Sequence, residues 1–179
     1  MKTETGKEGF VLWFTGFSQS GKTTLANEVY KNLQKEKIKI ERLDGDIVRE
    51  KLNKDLGYSK KDREINLERI SFVAKLLSRN GVGVIASFIS PYQKSRNSIR
   101  KETTNFIEIF CNAPLEVCEN RDKKGQYKKA RAGKIKNFTG VSDPYEKPKK
   151  PEIEVYTDKE SIKESVEKIM KYLKEKKFV

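Results

Sequence analysis

Gly16-Phe17-Ser18-Gln19-Ser20-Gly21-Lys22-Thr23 fits the pattern G-x-x-x-x-G-K-[ST]. Chemistry at this spacing is phosphate binding. The glycines let the backbone curl so that its N–H groups point at phosphate oxygens. Lys22 supplies a cation for the β- and γ-phosphates, and the Thr23 hydroxyl supplies an oxygen for Mg²⁺. The loop lies between the apolar run FVLWFT and a helical pattern, the context that distinguishes the motif from a chance match. It therefore predicts nucleoside triphosphate binding, and it is silent about the acceptor. No guanine-reading element or helicase pattern follows, and the chain is short for a motor ATPase.

Acceptor chemistry has to come from other stretches. Asp44-Gly45-Asp46 ends a strand-like run and offers paired carboxylates, suited to orienting Mg²⁺ or taking a hydroxyl proton. The same residues also read as a turn at Gly45 and a helix cap at Asp46. Tyr58, in the loop DLGYS, stands either to stack on a base or to pack on the next helix. Arg63 and Asn66 are three apart at a helix start and share a face. They suit an anionic acceptor with a polar ring, or equally a surface arginine and a cap. Ser90, in SFISPY, falls near the phosphates or serves as a turn residue. Lys123, Lys124, Lys128, Lys129, Arg131 and Lys134 lead to Phe138-Thr139-Gly140. This basic stretch reads as a flap over the transfer site. The competing reading is a nucleic-acid-binding arm with Tyr127 or Phe138 stacking on bases.

These residues need a scaffold, and the hydrophobic pattern supplies one. Strand-like runs at Phe10–Thr15, Lys37–Leu43, Val82–Phe88, Phe106–Asn112 and Glu152–Thr157 alternate with helical patterns. Helices are expected from the loop to about Lys35, over Ile47–Asn53, through Ile65–Leu77 up to Asn80-Gly81, over Gln93–Thr104, after Pro114, and along Ile162–Leu173. The alternation predicts an α/β fold: a central parallel sheet with helices on both faces and ligands beyond the carboxyl ends of the strands. Residues 122–150 break the pattern as a long irregular segment, expected to be functional or disordered.

Composition excludes several classes. At 179 residues one domain, 1–179, is expected, with room for a core that needs no disulfides. Cys111 and Cys118 form no zinc or redox motif and read as reduced thiols. The opening MKTETGKEG has no apolar h-region and no run is long enough to span a bilayer, so a cytoplasmic protein is expected. The formal net charge of +13 favours anionic partners, although much of it sits on mixed Lys/Glu helix faces. With no histidine, proton transfer and metal binding fall to carboxylates, hydroxyls, lysine or water.

Taken together, VLWFTG with its loop, LDGD, DLGYS with DR, SFISPY, PLEVCENRD, KGQYKKARAGKIKNFTG and DPYEKPKKPEI resemble the adenylyl-sulfate kinase family, in the family's order from Val11 to about Pro151. The resemblance implies a three-layer P-loop kinase fold with a mobile basic lid at about 122–150. It implies transfer of the ATP γ-phosphoryl group to the ribose 3′-hydroxyl of adenosine 5′-phosphosulfate (APS). A P-loop kinase of a nucleoside or an RNA 5′-hydroxyl, or a non-enzymatic nucleic-acid-binding protein, is the alternative. By the resemblance, Gly16, Phe17, Ser18, Gln19, Ser20, Gly21, Lys22, Thr23 and Thr24 hold ATP, with Lys128 and Arg131 reaching its phosphates from the lid. Thr23 and Asp44 hold Mg²⁺, and Lys22, Asp44, Asp46 and Ser90 are the catalytic set, Ser90 matching a serine described as a phosphoserine intermediate. Asp46, Arg49, Tyr58, Arg63, Asn66, Ile89, Ser90 and Phe138 bind APS, with Tyr58 and Phe138 sandwiching adenine. The family also implies frequent dimers and work beside ATP sulfurylase. Departures from the family pattern are Gln19, Thr23, Ile47, Ile65, Glu68, Gln93 and Ser95, which bear on substrate affinity more than on reaction type.

Overall fold

The structure, a computed structural model, describes residues 8–179. Residues 1–7, on which the expectation of no signal peptide falls, lie outside the described residues. The order of elements is β1 (Val11–Thr15), α1 (Lys22–Lys35), β2 (Ile40–Asp44), α2 (Gly45–Lys51), α3 (Lys60–Ser78), β3 (Gly83–Ser87), α4 (Gln93–Glu102), β4 (Phe106–Asn112), α5 (Leu115–Asn120), α6 (Gln126–Arg131), β5 (Ile153–Tyr156) and α7 (Ile162–Glu175).

The five strands form one sheet in the order β2-β3-β1-β4-β5, every pair parallel. All five residues of β1 are buried, because the central strand has helices on both sides. Its side chains alternate between two cores. Leu12 and Phe14 pack with Leu25, Val29 and Leu33 of α1 and Val166, Ile169 and Leu173 of α7. Val11 and Trp13 pack with Leu67, Ile70 and Ala74 of α3 and Ile99 of α4. The chain runs from β1 to one side and from β3 back across β1 to the other. The reversal puts the mouth of a crevice at the carboxyl end of β1.

Element ends follow local chemistry. Ser59 and Asp62 form a capping box on α3, and Ser161 and Glu164 form one on α7. The second strand starts at Ile40, later than the expected Lys37, because the preceding residues are used to close α1. Lys37 takes φ 59°, with Lys37 N donating to the Gln34 carbonyl at 3.0 Å and Ile38 N to the Leu33 carbonyl at 3.0 Å. Asn80-Gly81 ends α3 as expected, with Gly81 at φ 77°. Residues 122–150 are less irregular than the pattern suggested. They contain α6, and Tyr127, Phe138 and Val141 share a small core with Phe17, Leu115 and Cys118. No described helix is long and apolar enough to cross a membrane.

Candidate active site

The loop between β1 and α1 is shaped by its glycines. A Cβ on Gly16, at φ 149°, would lie 2.6 Å from the Cys111 carbonyl oxygen, and Gly21 sits at φ 92° as the cap of α1. Lys22 is tucked into this loop. Its Nζ donates to the Gly16 carbonyl at 3.1 Å and the Phe17 carbonyl at 2.5 Å. Burial lowers its pKa to about 8, since a desolvated ammonium favours the neutral form. The neighbouring Cys111 would counter this only as a thiolate, and burial pushes that thiol up to about 12. Gln19 holds a left-handed φ of 61°.

A cavity of about 620 Å³ opens in front of the loop. From the loop it is lined by Ser18, Gln19, Gly21, Lys22, Thr23 and Thr24. Across the sheet edge stand Asp44, Gly45, Ser87, Ile89, Ser90 and Pro91. The far wall is Arg49, Tyr58, Arg63, Asn66 and Leu67, and the roof is Lys124, Gln126 and residues 135–139.

The far wall is held by side-chain hydrogen bonds to main chain and to other side chains. Arg49 donates to the Leu56 and Gly57 carbonyls at 3.0 and 2.9 Å, and its guanidinium lies 4.2 Å from the centre of the Tyr58 ring. Tyr58 itself is 61% exposed, so much of its ring is open to solvent. Asn53 Nδ2 donates to Asn66 Oδ1 at 2.9 Å, which orients the Asn66 amide. Arg69 clamps Asp55 with a two-pronged pair at 2.7 and 2.8 Å, holding that carboxyl below its ordinary range. Arg63 ties wall to roof. It donates to the Tyr58 carbonyl at 3.0 Å, to Thr139 Oγ1 and to the Asn137 carbonyl, and it lies 3.5 Å from Asp143 Oδ2.

Ser90 is 2% exposed and, unusually for a serine, sits at φ 40°. Its Oγ accepts from Trp13 Nε1 at 3.1 Å and lies 3.4 Å from the Phe88 carbonyl. Among the described residues no carboxylate is a partner of this hydroxyl. Ser87, paired in register with Asp44, is 5% exposed, and among the described residues its Oγ meets no hydrogen-bond partner.

The adenylylsulphate kinase family model matches residues 8–156. The adenylyl-sulfate kinase of Halothermothrix orenii is 54% identical over 173 residues, covering 97% of this chain and 94% of that one. A probable adenylyl-sulfate kinase of Pseudomonas aeruginosa is 60% identical over 163 residues, covering 91% of this chain and 76% of that one. The chain belongs to the adenylylsulphate kinase family. Its fold superposes with a TM-score of 0.90 on the APS kinase CysC of Mycobacterium tuberculosis in complex with AMPPNP and APS, at 42% identity, covering 94% of this chain and 99% of that chain.

Ser18, Gln19, Gly21, Lys22, Thr23, Thr24, Asp44, Arg49, Tyr58, Arg63, Asn66, Ile89, Ser90 and Phe138 all meet at the one cavity. Gly16, Phe17 and Ser20 lie behind it; Gly16 and Phe17 act through the carbonyls that hold Lys22. The Asp46 side chain lies outside the described residues. Lys128 and Arg131 are not brought to the cavity. Helix α6 buries Tyr127 and Ala130, three apart on one face, and the Tyr127 hydroxyl donates to the Ser18 carbonyl of the loop at 2.9 Å. Lys128 and Arg131 therefore turn outward, and Arg131 pairs with Glu119 at 2.7 and 2.8 Å. The cations at the roof are instead Lys124 and Lys136. Sequence reasoning missed Ser87 as a wall residue; only the strand register sets it opposite Asp44.

Thr23 and Asp44 offer hard oxygens on one cavity, and no group of three or more His, Cys, Asp or Glu side chains that could hold a metal ion exists among the described residues. That donor set suits Mg²⁺, which takes one or two protein oxygens and completes its shell with water and phosphate.

Proposed function

We propose that the chain transfers the γ-phosphoryl group of ATP to the ribose 3′-hydroxyl of APS, giving 3′-phosphoadenosine 5′-phosphosulfate, as one kinase domain. The observation that carries this is the shared cavity. The phosphate loop with Lys22 and Thr23 opens onto the same space as Arg49, Tyr58, Asn66 and Phe138. Support comes from the 42% identical relative solved with AMPPNP and APS.

Lys22 leaves the Gly16 and Phe17 carbonyls for the β- and γ-phosphate oxygens. Thr23 and Asp44 would hold Mg²⁺, which neutralises charge on the phosphates as the γ-group transfers. Tyr58, with its open face, and Phe138 take the adenine between them. The oriented Asn66 amide donates to the adenosine. Arg49 and Arg63 exchange part of their bonds to loop and lid for the phosphosulfate, offsetting repulsion between two anionic substrates. Asp46 stands next to Gly45 of the cavity wall and is assigned to the acceptor hydroxyl. Lys124 and Lys136 add positive charge from the roof.

Direct in-line transfer is favoured over a phosphoserine route. A serine nucleophile needs an adjacent base, and the Ser90 hydroxyl is bonded to an indole N–H and a main-chain carbonyl. Ser90→Ala decides between the routes. Direct transfer predicts roughly a tenfold loss of kcat at most, whereas the covalent route predicts near-complete loss. The reaction itself is tested by incubating the protein with ATP and APS and detecting the 3′-phosphorylated nucleotide. Phosphorylation of a nucleoside or an RNA 5′-end instead would overturn the assignment.

A further inference from the structure

Arg96, in α4, is 1% exposed. Its guanidinium serves four acceptors. Nε donates to Glu108 Oε1 at 2.8 Å, Nη1 to the Ser90 carbonyl at 2.6 Å, and Nη2 to Gln93 Oε1 at 3.1 Å and the Glu146 carbonyl at 2.5 Å. A buried guanidinium requires compensation on this scale. The choice of partners goes beyond compensation, because two of them join separate pieces of the cavity's frame. Ser90 is in its wall, and Glu146 lies where the segment that roofs it returns to the sheet.

The return is stitched to the Ser90 loop at several further points. Glu146 N donates to the Pro91 carbonyl at 2.8 Å, and the Glu146 carboxylate accepts from Gln93 N at 2.7 Å. The Tyr92 hydroxyl donates to Asp143 Oδ2 at 2.8 Å. Tyr145 places its ring 5.8 Å from the Arg96 guanidinium and its hydroxyl 2.9 Å from Thr15 Oγ1, which in turn donates to the Ile89 carbonyl at 2.7 Å. The Arg96 guanidinium bonds both sides of this frame, the Ser90 carbonyl on one and the Glu146 carbonyl on the other. The strained φ of 40° at Ser90 persists only because its surroundings over-determine it, and Arg96 on the carbonyl and Trp13 on the hydroxyl are the bonds that do so.

We propose that Arg96 is a positioning residue for the acceptor substrate. It holds Ser90 in its left-handed conformation and locks Ile89-Ser90 to the base of the roof at Glu146. Acceptor binding depends on it and donor binding does not. This rests on the reading that Ile89 and Ser90 border the APS pocket. If Arg96 served only to neutralise Glu108, lysine would replace it, since lysine keeps the charge but lacks the planar fork that reaches Ser90 and Glu146 together.

The test compares Arg96→Lys with Arg100→Lys in the full chain. Arg100 also bonds Glu108, at 3.0 Å, and pairs with Glu152, but has no bond to Ser90 or Glu146. APS and ATP are varied separately, and emission from Trp13, the single tryptophan, is recorded because its N–H rests on Ser90 Oγ. Arg96→Lys is expected to raise the KM for APS by about tenfold or more, the effect of a lost charge-assisted hydrogen bond, with the KM for ATP within about twofold and the emission shifted. Arg100→Lys is expected to leave both KM values and the emission near wild type. The neutral double variant Arg96→Gln/Glu108→Gln, which strands no buried charge, is expected to repeat the APS-selective loss and serves if Arg96→Lys does not fold. An unchanged KM for APS, or equal rises for both substrates, in whichever of these variants folds would overturn the proposal. A wild type that turns over ATP with another acceptor, while Arg96→Lys shifts the emission and impairs that acceptor alone, would overturn the APS reading and leave the positioning role standing.

Discussion

The two halves of the cavity are built by opposite means. The donor half is nine consecutive residues, 16–24, and works through main-chain geometry: left-handed glycines, a helix end, and one lysine parked on two carbonyls. The acceptor half draws on α2, the loop before α3, α3 itself, the loop after β3 and the segment over the cavity. Those pieces are far apart in the chain and are joined by side chains such as Arg63, Asn53 and Arg96. A continuous loop positions its groups by local sterics, which few substitutions can tune. A composite wall positions its groups through individual bonds, and each can be adjusted separately.

The strongest way to break that comparison is to remove the only cation of the phosphate loop. Lys22→Ala is expected to lower kcat by about a thousandfold, the scale of losing a charged group that stabilises the transition state. Phe138→Ala should act on the other half alone. It is expected to raise the KM for APS by about ten- to a hundredfold, the measured range for a lost base stack, while the KM for ATP stays within about twofold. Equal effects on both substrates would mean that the roof serves the donor as much as the acceptor.

A smaller effect sharpens the contrast through pH. In the free protein Lys22 loses its proton as pH rises through about 8, and bound phosphates raise that pKa. Binding above pH 8 therefore requires proton uptake, so affinity for a non-hydrolysable ATP analogue is level below about 8 and falls above it, by up to roughly tenfold per pH unit. Calorimetric titrations across that range should show the fall for the nucleotide, and Lys22→Met should abolish it. The smallest expected effect is a gain. Gln19→Gly relieves a left-handed side-chain clash of about 1–2 kcal/mol and loses about 0.5–1 kcal/mol in chain entropy, so the melting temperature should rise slightly. A fall would show that the Gln19 side chain stabilises the loop in the absence of ligand.

The same division governs what could be read without a structure. The phosphate loop, the parallel sheet and most helix ends were legible because each depends on neighbours within a few residues. The late start of β2 was not, because the left-handed Lys37 carries no glycine to announce it. The roof segment was legible as basic, but not which of its faces turns toward the cavity. Lys128 and Arg131 stood out as charges, yet the burial of Tyr127 on Ser18 decides which face of α6 turns inward. Ser87 escaped notice since a serine at a strand end has no signature until the register with Asp44 brings it to the wall.

By itself, then, the sequence determined an α/β chain that presents a phosphate loop at the end of its first strand, and the set of residue types available for the acceptor. Periodicity and local backbone sterics are enough for that. Only the tertiary structure decided which of those residues share one cavity, that Arg63 joins its wall to its roof, and that a buried Arg96 connects Ser90 to Glu146. These contacts join residues as many as 76 positions apart, and no spacing rule reaches across such a gap. They exist because strand order and helix packing bring the segments together, and each buried donor must then find an acceptor.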